Sequence, residues 1–214
     1  MPPAPRFLFD GPEDGPTLVL AHGAGAPMDS PSMAAAAAGL GGRGLRVARF
    51  EFGYMRERRT GGGRPAPDRE PRLRSAWLEA IEELGGGPHL WIGGKSLGGR
   101  IASMIADEAG VRGLVCLGYP FRPPGAPPSA AAKRTAHLRD LRTPALVVQG
   151  TRDAFGGAAE VGGYTLSASI RIHWIEDGDH SLVPRKSSGR TAEQNLAEAI
   201  AAVADFVLGA AAGR

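Results

Sequence analysis

Short apolar runs separated by turn-forming residues recur along this chain and predict strands. They lie at residues 6–10, 17–21, 45–52, 88–93, 111–117, 145–149 and 170–175. From residue 17 onward they alternate with segments of helical character. Such alternation is typical of a parallel sheet covered by helices. The pattern therefore predicts one α/β domain over residues 1–214, with a mostly parallel central sheet and helices on both faces.

The segments between the strands predict helices and one long loop. Helices are expected at residues 27–40, 72–84, 97–106, 133–141, 156–167 and 191–209. In residues 72–84, apolar side chains recur every three or four positions, which predicts one buried face. Thr191 and Gln194 have the spacing of a capping box at the start of the last helix. Residues 54–68, rich in Arg, Gly and Pro, are expected to form a loop.

The segment from Gly94 to Gly98 lies between a predicted strand and a predicted helix. Strand, sharp turn and helix form the context of a nucleophile elbow, G-x-S-x-G. Its glycines allow a turn tight enough to hold the Ser96 hydroxyl clear of the sheet. The first amides of the helix point at the same place and can receive an oxyanion. The segment therefore predicts a serine nucleophile.

Gly94, Lys95 and Ser96 could also end a phosphate-binding P-loop, G-x-x-x-x-G-K-[ST]. That motif requires a glycine where this chain has His89, and a loop where residues 90–92 predict a strand. The sequence therefore favours the elbow over the P-loop.

A serine nucleophile needs an adjacent base and a carboxylate that orients the base. Of the five histidines, His180 alone lies in a loop between the last strand and the last helix. Sites of open α/β sheets form at that edge. Asp153 follows another strand there and is favoured as the carboxylate over Asp177 and Asp179, although it could instead only cap a helix. The chain order Ser96, Asp153, His180 is that of an α/β-hydrolase.

An oxyanion hole requires two backbone amides. We expect one from Leu97, the residue after the nucleophile. The other is expected from Ala24, with its neighbour Gly25 as the alternative, in the loop that follows the strand at 17–21. The ring of His22 is expected to brace this loop.

The segment after the strand at 111–117 is expected to shape the substrate site. It has room for only a loop and one short helix where many α/β-hydrolases carry a lid domain, so an open site is predicted. Tyr119 and Phe121 are expected to form one wall of an acyl pocket, stiffened by neighbouring prolines. The alternative is that Phe121 packs in the core beneath the loop.

The chain carries a small basic excess, with a formal net charge of +3. Arg56, Arg58 and Arg59 belong to a basic segment that is either a solvated loop or a rim that attracts anionic substrates. Lys95 and Arg100 flank the nucleophile and are expected either to pair with acidic side chains or to bind substrate. No stretch interleaves basic and aromatic residues, so nucleic acid is not an expected partner.

The single cysteine, Cys116, lies in an apolar run and is expected to be a buried, small hydrophobic residue. No intramolecular disulfide can form, which fits a reducing compartment. The start of the chain has no pattern of a signal peptide, and no apolar run is long enough to span a bilayer. These features predict a cytoplasmic protein that uses no metal and no cofactor.

Several of these motifs together resemble those of a known family. They are LAHGAGA at residues 20–26, GGKSLGGR at 93–100, CLGYPF at 116–121, QGTRD at 149–153 and GDHS at 178–181. The chain resembles α/β-hydrolases, and within them the testis-expressed hydrolase-like proteins and the hydrolase-like domain of chromatin NSL complex subunit 3. The resemblance implies a dienelactone-hydrolase-like fold. True dienelactone hydrolases use a cysteine nucleophile, whereas this chain has Ser96, so their substrate is not implied.

Two functions are consistent with the motifs. The first is a serine hydrolase that cleaves a carboxylic ester or similar acyl bond of a small-molecule substrate. The second is a protein-interaction module that retains the site without using it, as the resemblance to proteins of large complexes implies. The presence of all three triad members and both glycine motifs favours the hydrolase.

Overall fold

A single sheet organises the computed structural model, which describes residues 6–61, 63 and 65–212. Its strands are β1 (Phe7–Asp10), β2 (Thr17–Ala21), β3 (Arg46–Phe50), β4 (Leu90–Lys95), β5 (Gly113–Leu117), β6 (Ala145–Gly150) and β7 (Ile170–Ile175). Within the described residues the sheet has seven strands in the order β1-β3-β2-β4-β5-β6-β7. Among these described strands only β1 pairs antiparallel, with β3. The predicted strands and the mostly parallel sheet are therefore confirmed.

Helices connect the strands. They are α1 (Pro31–Gly41), α2 (Gly53–Thr60), α3 (Glu70–Glu83), α4 (Leu97–Ile105), α5 (Ala132–Thr135), α6 (Ala158–Val161) and α7 (Ala192–Ala212). Short 3₁₀ turns lie at Gly87–His89, Pro128–Ala131, Ala136–Arg139 and Lys186–Ser188. The predicted capping box is present at the start of α7, where the Gln194 amide donates to Thr191 Oγ1 at 3.2 Å and the Thr191 amide donates to Gln194 Oε1 at 2.9 Å.

Three segments differ from the prediction. Helix α2 replaces the first half of the expected loop, because Tyr54 and Met55 are buried while the arginines of the same turns face outward. The helix expected over residues 156–167 shrinks to the single turn α6, because glycines precede and follow it. The helix expected over residues 133–141 is one turn, α5, between two 3₁₀ turns.

Two apolar cores lie on opposite faces of the sheet. On one face α3 and α4 pack together, and the Trp77 ring lies edge-on to Phe50 with centroids 4.7 Å apart. On the other face α1 and α7 cover the strands, and Trp91 lies edge-on to Phe206 at 5.2 Å. Because apolar cores cover both faces of the sheet, a polar functional site can form only where the strands end.

The connection from β5 to β6 contains only a loop and short helical turns, so no lid domain covers the carboxyl edge of the sheet. Cys116 in β5 is fully buried, and burial raises the pKa of its thiol. The thiol is therefore inert, as expected from its apolar run. Within the part of the chain that the structure describes, no helix is long and apolar enough to cross a membrane.

Candidate active site

Ser96 occupies a strained turn between β4 and α4. Its backbone has φ 49° and ψ −110°, in a region that side-chain-bearing residues rarely adopt. The turn is held on both sides, because the Ser96 amide donates to the Leu117 carbonyl at 3.1 Å and the Arg100 amide donates to the Ser96 carbonyl at 2.9 Å. This strained backbone is the geometry of a nucleophile elbow.

The glycines of the elbow allow both β4 and α4 to lie close to β2. A Cβ atom at Gly94 would lie 2.2 Å from the Ala21 carbonyl oxygen, and one at Gly98 would lie 2.4 Å from the same oxygen. Both distances are far inside van der Waals contact with backbone. Only glycine therefore fits at either position, because a side chain at Gly98 would move α4 away from β2 and one at Gly94 would push β4 away from β2.

Ser96, His180 and Asp153 form a continuous hydrogen-bonded chain. Ser96 Oγ lies 2.9 Å from His180 Nε2, and His180 Nδ1 lies 2.8 Å from Asp153 Oδ2. An ionised carboxylate can only accept, so Nδ1 carries the proton and Nε2 is free to accept from the serine hydroxyl. The Asp153 side chain is completely buried, while the His180 side chain is 22% exposed. Solvent and substrate can therefore reach the imidazole but not the carboxylate.

The Asp153 carboxylate is held by more than His180. Gln149 Nε2 donates to Oδ2 at 2.9 Å, and the Phe155 amide donates to Oδ1 at 2.8 Å. Three hydrogen bonds satisfy a buried carboxylate and fix its orientation. The part played by Gln149 was not predicted from the sequence, although its position at a strand end, four residues before Asp153, is a usable signal.

Asp177 and Asp179, the alternative carboxylates, shape the His180 loop instead. Asp177 accepts hydrogen bonds from the Arg185 side chain and amide, at 2.8 and 2.7 Å, and these lower its pKa to about 2. Asp179 Oδ1 accepts from the amides of Ser181 and Val183. Both carboxylates are occupied by their own loop and its neighbours, which leaves Asp153 as the partner of His180.

Phe155 also lies in the site and was missed from the sequence. Its ring stacks on the His180 imidazole, with centroids 4.0 Å apart and an angle of 28° between the planes. The contact covers one face of the imidazole and limits its rotation. Its sequence signal was only an aromatic residue two positions after Asp153.

His22 braces the loop that follows β2, as expected. The Phe52 amide donates to His22 Nε2 at 3.2 Å, so Nδ1 carries the proton and donates to the Gly23 carbonyl at 2.7 Å. The ring is fully buried, and desolvation lowers its pKa. It is therefore a neutral structural group.

The two expected oxyanion donors lie in separate segments, Ala24 in the loop that follows β2 and Leu97 at the start of α4. A Cβ atom at Gly23 would lie 3.8 Å from Ser96 Cβ, so this loop borders the nucleophile. The Gly23 carbonyl faces His22, and in a trans peptide the Ala24 amide points the other way. Leu97 is the first residue of α4, where the helix provides no acceptor for its amide.

Among the described residues Lys95 forms no ion pair with an acidic side chain, and the residue is only partly exposed. Its ammonium donates to the backbone carbonyl of His180. Burial lowers its pKa to about 8, and Asp153 and Asp179 oppose that shift. The lysine therefore connects the residue before the nucleophile to the loop that carries the histidine.

Tyr119 and Phe121 do not wall a pocket, contrary to the expectation. Both side chains are fully buried, and their rings pack against each other at 4.8 Å. The cause is Gln149, whose Oε1 accepts from the Tyr119 amide at 2.7 Å and whose Nε2 donates to the Tyr119 carbonyl at 3.1 Å. This clamp holds the segment inward, so the alternative of a core position is correct for Phe121.

One arginine of the expected basic rim is neutralised by carboxylates, and the other two form no ion pair among the described residues. Arg59 donates to both oxygens of Glu51 and to Asp29, and Arg58 donates to the Pro65 carbonyl at 2.6 Å. Of the three arginines only Arg56 is exposed without such a bond among the described residues. Among the same residues, no cluster of three or more His, Cys, Asp or Glu side chains could hold a metal ion.

A sequence model described as an alpha/beta hydrolase domain matches residues 14–208. Among solved structures, an α/β serine hydrolase without lid from Xanthomonas campestris is 20% identical, with 95% of this chain and 88% of that chain covered and a TM-score of 0.64. A dienelactone hydrolase from Anabaena variabilis is 20% identical, with coverage of 95% and 90% and a TM-score of 0.66.

A monoacylglycerol lipase from Paleococcus ferrophilus is 17% identical, with coverage of 95% and 98% and a TM-score of 0.68. At these identities the structural likeness shows the fold alone. The predicted α/β-hydrolase fold without a lid domain is confirmed. The narrower likeness to the testis-expressed proteins and NSL complex subunit 3 is not among these matches and stays a prediction.

Proposed function

Because the chain belongs to the alpha/beta hydrolase family, we propose that it is a serine hydrolase that cleaves a carboxylic ester or related acyl bond. The observation that carries the proposal is the chain of two hydrogen bonds, 2.9 and 2.8 Å long, that joins Ser96 Oγ through His180 to the buried Asp153. A serine hydroxyl becomes nucleophilic when a base of this kind accepts its proton.

In the proposed mechanism, Ser96 Oγ attacks the acyl carbon while His180 Nε2 takes the hydroxyl proton. Asp153 stabilises the imidazolium that forms and keeps its Nδ1 proton in place. The Ala24 and Leu97 amides receive the oxyanion of the tetrahedral intermediate. His180 then gives its proton to the leaving alcohol, and an ester between Ser96 and the acyl group remains.

Water completes the proposed cycle. His180 removes a proton from a water molecule as the water attacks the acyl carbon, and the collapse of the second intermediate returns that proton to Ser96. An alcohol could take the place of water, in which case the product is a new ester. The open carboxyl edge of the sheet leaves room for either acceptor.

The similar solved structures support this reaction class, since they include a serine hydrolase, a dienelactone hydrolase and a monoacylglycerol lipase. The competing function, an interaction module with an unused site, requires no strained serine. The backbone of Ser96 has φ 49°, and strain of this kind costs about 1–3 kcal/mol. Its retention favours a site that is used.

A fluorophosphonate probe tests the proposal. The purified protein should be labelled at Ser96, located by mass spectrometry of the modified peptide. Ser96→Ala should abolish labelling and lower kcat for p-nitrophenyl esters by about 10⁶. The matched control is Ser75→Ala, which removes an exposed hydroxyl from α3 and should leave labelling intact. Labelling elsewhere, or unchanged turnover in Ser96→Ala, would exclude this function.

A further inference from the structure

A cleft of about 570 Å³ opens beside α4, away from the hydrogen bonds of the triad. It is lined by Arg100, Pro123, Ser129, Ala130, Lys133 and Arg134. Arg100 lies one helical turn after Ser96, since its amide donates to the Ser96 carbonyl. One turn of helix advances about 5.4 Å. The other lining residues come from the segment between β5 and β6, which occupies the place of a lid.

The cleft carries more positive charge than its protein partners neutralise. Arg100 contacts one carboxylate, Glu70, at 3.3 Å, and its buried Nε has no hydrogen-bond partner among the described residues. Arg134 donates to the Pro120 carbonyl at 3.1 Å. Burial lowers the pKa of Arg134, and the nearby charge of Arg100 lowers it further. Lys133 adds a third cation at the exposed side of the cleft.

A buried polar cluster holds the two arginines from beneath. Tyr119 donates its hydroxyl to the Arg134 carbonyl at 2.7 Å, and Ser103 donates to the Arg100 carbonyl at 2.7 Å. Ser103 Oγ also lies 2.8 Å from His137 Nε2. Burial lowers the pKa of His137 to about 4, so the ring is neutral near pH 7 and donates from Nε2 to the serine oxygen. These bonds fix the backbone of both arginines, while the guanidinium groups themselves donate to Glu70 and to the Pro120 carbonyl.

We propose that this cleft binds a carboxylate group of the substrate, joined by a short spacer to the ester that Ser96 attacks. The proposal rests on the serine hydrolase function and adds the class of substrate. A guanidinium group presents two parallel donors that match the oxygens of a carboxylate. Two such groups held close together repel each other until an anion enters, and partial burial strengthens the attraction for that anion.

Matched esters test the proposal. The p-nitrophenyl monoesters of adipate and pimelate carry a terminal carboxylate, and the hexanoate and heptanoate esters have the same chain length without it. Wild type should show a higher kcat/KM for the carboxylate esters at low salt, and the preference should shrink as salt rises. Arg134→Gln should lower the ratio of kcat/KM between the two kinds of ester by about tenfold or more.

Arg139→Gln is the charge-matched control, because Arg139 is an exposed arginine of the same segment outside the cleft. Its ester preference should equal that of wild type. If Arg134→Gln does not fold, Lys133→Gln replaces it, since this side chain is exposed and its loss should still reduce the preference. An unchanged preference in a folded variant overturns the proposal, while hydrolysis of the neutral esters would leave the serine hydrolase function standing.

A binding measurement separates the two proposals. Calorimetry of Ser96→Ala with monomethyl adipate needs no turnover, and this ester should bind more tightly than methyl hexanoate, which has no carboxylate. Arg134→Gln in the same background should remove the difference. If wild type hydrolyses no ester but monomethyl adipate binds in this Arg134-dependent way, the cleft stands and the reaction proposal falls. If monomethyl adipate binds no better than methyl hexanoate, the cleft proposal is overturned.

Discussion

The buried Lys95 ammonium makes the stability of this protein depend on pH in a window that few other groups affect. Burial lowers the pKa of Lys95 from 10.5 to about 8 in the folded chain. Between these values the unfolded chain holds a proton that the folded chain has released. The free energy of unfolding must therefore rise with pH between about 8 and 10.5. Below pH 8 the folded chain carries the full cost of a buried charge.

The size of the effect follows from the two pKa values. From pH 7 to pH 9 the gain in unfolding free energy from Lys95 is about 1 kcal/mol, for pKa values of 10.5 and about 8. Buried tyrosines act at higher pH and in the opposite direction, because burial raises the pKa of Tyr54 from 10.0 to about 12. Burial also raises the pKa of the Cys116 thiol from 9.0, which opposes the lysine as the pH approaches 9. The lysine contribution is therefore the difference between wild type and a variant without Lys95, in which the cysteine and tyrosine contributions cancel.

Urea unfolding of wild type and Lys95→Met at pH 7, 8 and 9 measures this gain. Methionine keeps an unbranched chain and carries no titratable group. Wild type should gain about 1 kcal/mol relative to the variant from pH 7 to pH 9. Lys133→Met, a substitution of an exposed lysine, should follow wild type. Parallel pH profiles of wild type and Lys95→Met would refute the assignment of a depressed lysine pKa to this site.

Two further substitutions test the site and the core. Phe121→Ala should lower the free energy of unfolding by about 3–5 kcal/mol, because the ring is fully buried. It should leave the preference for acyl-chain length unchanged. The control is Phe9→Ala, since Phe9 is 49% exposed. If Phe121→Ala keeps the stability of wild type but changes the preference for acyl-chain length, then Phe121 lines the acyl pocket after all. Asp153→Asn should lower kcat by about 10⁴, because an amide that donates to His180 Nδ1 leaves the proton on Nε2, where it blocks the acceptance of the serine proton. If the variant turns over esters near the wild-type rate, Asp153 has no part in the mechanism.

Much of the architecture was predictable because its signals are local. Apolar periodicity along a few residues determines which segments become strands and helices, and the alternation of the two determines a parallel sheet. The predicted strands accordingly appear with bounds shifted by a few residues. The capping box of Thr191 and Gln194 was predictable for the same reason, because its two residues are only three positions apart.

The meeting of Ser96, Asp153 and His180 was predictable for a topological reason. Each follows a strand of a parallel sheet, and the carboxyl ends of such strands share one edge. The structure brings the three side chains into hydrogen-bond contact there. Their catalytic roles remain the proposal that the labelling experiment tests.

The directions of side chains over long separations were not predictable from the sequence. Gln149 clamps Tyr119, 30 positions away, and so holds Tyr119 and Phe121 in the core rather than at a pocket. Lys95 reaches the carbonyl of His180, 85 positions away, instead of an acidic partner or the substrate. Composition and spacing alone thus determined the fold class and the edge of the sheet at which the site forms. Only the tertiary structure decided which side chains face that site, because a side chain turns toward whichever distant partner satisfies its hydrogen bonds or buries its apolar surface.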